Sequence, residues 1–173
     1  MSEIEAYDKA ARKFHGTLDF NSLPIMSWDM YVPYFTSICR NYGDIASLEL
    51  ISETNKWSYQ NDFVNNLLYK QRVIVVTDPQ LRIVHATKNI IDMNGYRPKE
   101  IVGKKPKMFQ GAKTCKKTTI GIRLAVQNKK PFEVIIINYR KDGSTYKCWI
   151  KGEPVFNTSG EVVNFIAYEK EVA

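Results

Sequence analysis

At 173 residues, 44% hydrophobic and 25% charged, the chain is sized and composed for one soluble globular domain with an extension. It has no apolar run near the roughly 18 residues of a membrane span, and its first residues lack the basic and apolar stretches of a secretory leader. Three widely spaced cysteines (Cys39, Cys115, Cys148) form neither a disulfide framework nor a metal knuckle, so a cytoplasmic protein with free thiols and no membrane partner is expected.

Net charge is +7 and uneven. Arg97, Lys99, Lys104, Lys105, Lys107, Lys113, Lys116 and Lys117 share one stretch in which Glu100 is the only acid. That stretch reads either as a solvated surface or as a site for an anionic ligand, an acidic partner or nucleic acid. No aromatic interleaving or recognition motif accompanies the lysines, so nucleic acid is not the expected partner.

The pattern before residue 72 is helical. Pro33 suits a first helical turn, and Phe35, Ile38, Tyr42 and Ile45 recur at spacings of three and four. Gly43 interrupts that run at a cost of about 1 kcal/mol against alanine. Asn21 to Trp28 reads as an ordered connector, and Phe63, Val64, Leu67 and Leu68 make a second short stripe. From residue 73 the character changes. Val73 to Thr77 is a β-branched run stopped at Asp78-Pro79, and Arg82 to Ala86 is its antiparallel partner. A brief helix through Ile90, Ile91 and Met93 ends at Gly95, and another from Pro98 to Val102 ends at Gly103. Cys115 to Gln127 is a longer helix with Ile120, Leu124 and Ala125 expected to face inward. Phe132 to Tyr139, Tyr146 to Phe156 and Val162 to Glu169 form a three-strand meander, turning at Asp142-Gly143 and at Asn157 to Gly160.

Two strands, several short helices and a three-strand meander make an α+β arrangement. Asn94-Gly95-Tyr96 with Glu100-Ile-Val-Gly103 resembles the PAS signature. Phe109-Gln110-Gly111, Asn138-Tyr-Arg-Lys-Asp-Gly143 and Gly160-Glu-Val-Val resemble motifs of its light-oxygen-voltage (LOV) branch. The resemblance covers about 95 residues. It implies a five-stranded antiparallel sheet with short helices on one face, spanning 73–173, preceded by a helical extension, 1–72, that packs on the sheet.

The LOV branch also implies a site. Its photochemical cysteine lies in a motif Gly-x-Asn-Cys-Arg-Phe-Leu-Gln-Gly, and here that stretch is Gly103-Lys-Lys-Pro-Lys-Met-Phe-Gln-Gly111. Pro106 takes the cysteine position and has no nucleophile, so no flavin–cysteinyl adduct is expected. Of the flavin-contacting positions, Asn138 and Gln110 are retained and Lys107 keeps a positive charge for a phosphate. Lys105 replaces the ribityl-facing asparagine and Ile120 a second phosphate arginine. Cys148 replaces the second edge asparagine, and Glu169 the strand glutamine. No cofactor is therefore expected, with flavin mononucleotide (FMN) as the alternative. Strand alternation turns Asn138, Cys148 and Glu169 toward the helices. They either form a polar network in a filled core, joined by Lys105, or hold a small ligand behind the Pro106 segment.

The opposite sheet face carries Ile135, Ile137, Tyr139, Trp149, Ile166 and Tyr168, too apolar to stay wet. The N-terminal helices, with Trp28 and Trp57, or a second copy of the chain would cover it, and a homodimer is expected. His15 and His85 lie near no motif, and His85 reads as a packing or surface residue. No metal site and no catalytic residue is indicated. The expected function is a non-catalytic sensor or interaction module in signal transduction, acting through protein contacts. The alternatives are a small-ligand receptor and a regulator associated with nucleic acid.

Overall fold

A computed structural model describes the backbone of residues 26–59 and 61–173, with side chains from residue 41 onward and at 35, 36 and 39. Two compact units divide at Ser37 and Ile38, and the packing described below lies within the second. Helix α1 spans Met26–Thr54 and a π-helical turn Asn65–Tyr69 follows. Strands β1 (Val73–Thr77) and β2 (Ile83–Ala86) lead to helices α2 (Ile90–Asn94) and α3 (Pro98–Ile101), a 3-10 turn (Pro106–Phe109) and helix α4 (Lys116–Gln127). Strands β3 (Phe132–Tyr139), β4 (Thr145–Phe156) and β5 (Val162–Val172) complete an antiparallel sheet of order β2-β1-β5-β4-β3.

The local stops act as their residue types dictate. Gly95 closes α2 at φ 78°, a left-handed conformation that only glycine adopts without penalty. Gly143 turns the β3–β4 hairpin, and Asp142 Oδ1 accepts from the Ser144 amide at 2.8 Å. Gly152 is needed for a different reason. It pairs with Phe132 across β3 and β4, and a Cβ there would stand 2.3 Å from the Phe132 ring.

Two cores result, one on each face of the sheet. The helix-side core joins Val73, Val75, Ile90, Met93, Ile101, Phe109, Ile136 and Cys148, with Tyr96 and Phe109 edge-to-face at 5.7 Å. The other joins Ile74, Val76, Val155, Ile166 and Tyr168 of the sheet to Ile45, Leu48, Trp57, Phe63 and Leu67. Trp57 Nε1 donates to Asn164 Oδ1 at 2.9 Å, whose amide donates to the Thr77 carbonyl at 3.0 Å. Tyr168 donates to Asn61 at 2.8 Å, and Arg72 lies 4.4 Å from the centroid of Trp149.

Several expectations need correction. Pro33 is the eighth residue of α1, not part of its first turn, because the helix begins at Met26 and takes in the end of the supposed connector. Asn21 to Ile25, His15 and the side chains of Trp28 and Ile38 lie outside the described residues. Of the expected stripe, Phe35 and Tyr42 are 67% and 62% exposed while Ile45 is buried, and Asn41, Asp44 and Leu48 complete the buried face of α1. Asp44 turns inward because its carboxylate accepts from the Lys88 amide at 2.7 Å. Ile120 and Leu124 are each 49% exposed, while Ile122 packs on the helix-side core and Ala125 is half-buried. The helix carries aliphatics on two faces, and contact with β3 selects the one bearing Ile122. Strand β5 also runs past Glu169 to Val172, pairing with Lys147.

Candidate functional site

The interior between sheet and helices holds a cluster of buried polar side chains. Asn138 on β3 pairs with Tyr146 on β4, and Cys148 stands two residues further along the same face. Glu169 on β5 pairs with Val73 on one side and Ile150 on the other. Asn94, the last residue of α2, closes the cluster from the helix side and is fully buried. Asn138, Tyr146, Cys148 and Glu169 are all 5% exposed or less.

This cluster is polar but incompletely satisfied. Cys148 donates to Glu169 Oε2 at 3.8 Å, a long sulfur contact. The Asn94 side-chain oxygen accepts from the Tyr96 amide at 3.1 Å, yet neither its Nδ2 nor the Tyr146 hydroxyl makes a well-aligned hydrogen bond, although the Asn138 and Asn94 side chains lie close enough to that hydroxyl to oppose the effect of its burial. Burial pushes the Glu169 carboxyl up to about 7, with no cation among the causes to oppose it. Burial, and then the charge of Glu169, push the Cys148 thiol well above the ordinary thiol range. Burial similarly raises Tyr146. Cys148 and Tyr146 are therefore neutral at neutral pH, whereas Glu169 is protonated below it and about half-ionised there.

Arg140 brings a cation to the edge of the cluster. Its guanidinium lies 4.5 Å from the Tyr146 ring centroid, donates to the Met93 carbonyl and bonds Glu171 at 2.6 Å. It is committed to the rim of the site. Beside it, Lys141 meets Glu100 at 2.5 Å and joins the β3–β4 turn to α3.

The residues singled out in the sequence separate in space. Asn138, Cys148 and Glu169 come together, but Lys105 and Lys107 are exposed, and Lys105 does not join the interior network. An ammonium at that place keeps its hydration by staying outside. Pro106 opens the 3-10 turn that carries the buried Phe109, and Gln110 is half-buried at its end. Asn94 and Tyr146 were missed. Tyr146 shares the parity of Cys148, and Asn94 begins the Asn-Gly-Tyr signature, so both carried a signal.

On the other face, Ile166 and Tyr168 are buried beneath the N-terminal residues and Trp149 is half-buried, donating to Glu133 at 2.9 Å. Ile135 is 57% exposed and Ile137 half-buried. The hydroxyl of Tyr139 accepts from the Lys113 amide at 2.9 Å, and its ring lies against Gly111, so a loop laps that end of β3.

A sheet of order 2-1-5-4-3, with short helices over one face and a buried polar cluster between, defines the class of PAS sensory domains. The chain belongs to this family, whose model, described as PAS domain, matches residues 72–172. Within it the chain resembles the LOV branch. It is 34% identical over 102 residues to Protein TWIN LOV 1 of Arabidopsis thaliana, covering 57% of this chain and 26% of that protein. It is 33% identical over 106 residues to Phototropin-2 of Oryza sativa subsp. japonica, covering 60% of this chain and 12% of that protein. The chain thus spans 26% and 12% of the length of these two relatives. Among solved structures, one described as "Flavin Analogue Sheds Light on Light-Oxygen-Voltage Domain Mechanism" superposes with a TM-score of 0.61 at 27% identity, over 66% of this chain and 87% of that one. The dark structure of the blue-light photoreceptor Aureochrome1 LOV gives 0.60 at 26% identity, over 67% and 86%.

A flavin presents a polar edge of two carbonyl oxygens and one N–H, which two amide side chains and a glutamine would answer. Here that wall offers one amide, Asn138, beside a buried thiol and a buried carboxylic acid. Cys148 offers only a weak donor in place of an amide, whereas Glu169, when protonated, offers one donor and one acceptor as a glutamine does.

Proposed function

We propose that this PAS domain is a sensor and interaction module of signal transduction that forms no flavin–cysteinyl adduct and passes its signal by protein contact. The carrying observation is Pro106 at the first position of the 3-10 turn, where the LOV pattern places its reactive thiol. Cys115 is exposed at the start of α4, and Cys148 is buried against Glu169 as a neutral thiol, so neither replaces it. Output by contact is supported by the outer face, where residues 45–67 are packed on β1, β4 and β5 while Ile135 is left open. Among the described residues no group of three His, Cys, Asp or Glu is placed to hold a metal ion. No described helix is long and apolar enough to cross a membrane. The test is spectroscopic: protein reconstituted with FMN and illuminated in the blue keeps its absorption band. A band that bleaches and recovers in the dark, and stops doing so in Cys148→Ala or Cys115→Ala, overturns the reading.

A second reading is a small-ligand receptor. It rests on the unpartnered Asn94 Nδ2 and Tyr146 hydroxyl, buried donors that a ligand oxygen would satisfy. A visible band in the purified protein would identify that ligand as a flavin.

A further inference from the structure

A second concave surface lies outside the helix-side interior. An open groove of about 760 Å³ runs between α1, β2 and the α2–α3 segment. Its aliphatic wall is Ile91, 37% exposed, and Val102, 48% exposed, each adjacent in sequence to a fully buried isoleucine, Ile90 and Ile101. Lys88, Arg97 and Lys99 supply three cations to the lining. The one carboxylate there, Asp44, is 2% exposed and accepts from the Lys88 amide, so the accessible charge is positive.

These features select among occupants. The one aromatic ring in the lining is the half-buried imidazole of His85, so a nucleobase meets no Phe, Tyr or Trp to stack on. Strand addition to β2 is hindered because Ile83 already exchanges backbone bonds with Gly103 and Lys104, at 2.7 and 2.8 Å. Exposed aliphatics flanked by cations instead suit a peptide that presents an aliphatic anchor between carboxylates. All lining residues belong to one compact unit.

We propose that this groove docks an acidic segment of a partner protein, an aliphatic side chain resting on Ile91 and Val102 and its flanking carboxylates meeting Lys88, Arg97 and Lys99. The proposal builds on the reading of the domain as a protein-contact module, but the two fail separately: a photocycle would overturn the adduct claim and leave peptide binding untouched.

The probe is a synthetic peptide of alternating aspartate and glutamate with one central leucine, titrated into the full chain and followed by methyl NMR. Shifts concentrated at Ile91 and Val102 are expected, with affinity falling as salt rises. The double variant Arg97→Glu/Lys99→Glu should weaken binding about tenfold or more. Both side chains are exposed, so its thermal midpoint should match that of the parent. Lys116→Glu/Lys117→Glu, outside the groove, should bind as the parent does. No shifts up to about 1 mM peptide, a weak limit for a real site, overturn the proposal. So does equal loss in both double variants, which would mean diffuse charge attraction. Glutarate binding as tightly as the peptide would replace the partner with a free small anion, and a single-stranded oligonucleotide outcompeting it would replace it with nucleic acid.

Discussion

Glu169 is the residue whose chemistry is most altered by its surroundings. Its carboxyl is pushed from an ordinary 4.5 up to about 7 by burial. A raised acid favours folding most while protonated. As pH climbs through that window the unfolded chain gives up its proton first, and the fold loses about 3 kcal/mol. Glu169→Gln should remove this dependence, so that denaturant midpoints for the variant stay flat from mildly acidic to mildly alkaline pH while the parent's decline. A parent with no decline would show that the carboxyl is hydrated. Gly152 offers a purely steric counterpart. Adding a methyl group 2.3 Å from the Phe132 ring must displace that ring, and Gly152→Ala should cost about 1–3 kcal/mol in urea unfolding.

At the scale of elements, the contact between the N-terminal residues and the sheet is a buried core with a polar latch. Trp57 contributes both, being 8% exposed and bonded through its indole to Asn164. Trp57→Ala should cost about 3–5 kcal/mol through the cavity and the orphaned Asn164 carbonyl. Hydrogen exchange should then quicken in 45–67 and along β1 and β5, whose outward side chains lose their cover. If only the global midpoint falls and no local opening is detected, cover and sheet are a single cooperative unit without a releasable element.

For the whole molecule, cover is unequal across the sheet. Beneath residues 45–67 the β1 and β5 positions are nearly sealed, whereas Ile135 on edge strand β3 remains 57% exposed beside half-buried Trp149. We propose that a second copy of the chain meets along this half and buries that surface in a homodimer. Light scattering should report a dimer for the parent and a monomer for Ile135→Lys, with no change in thermal midpoint. A parent that is monomeric at all concentrations, or a variant that remains dimeric, removes β3 from the interface.

The sequence alone determined the elements from β1 to β4 and the turns between β3, β4 and β5, because period-two runs, Asp-Gly and Asp-Pro turns and terminal glycines act over a few residues; the start of α1 and the end of β5 it placed wrongly. It also determined which face Asn138, Cys148 and Glu169 take, since strand parity needs no partner. It misjudged α1 and α4, where a helix carrying aliphatics on more than one face lets neighbours choose the buried one: Asp44 was drawn inward by the Lys88 amide, and Ile122 rather than Ile120 met the core. Only tertiary structure decided that Lys105 stays in solvent, that Asn94 and Tyr146 join the buried cluster, and that α1, β2 and the α2–α3 segment line an open cationic groove. Those facts depend on residues up to tens of positions apart meeting in space, and on the cost of desolvating a charge, which no local pattern records.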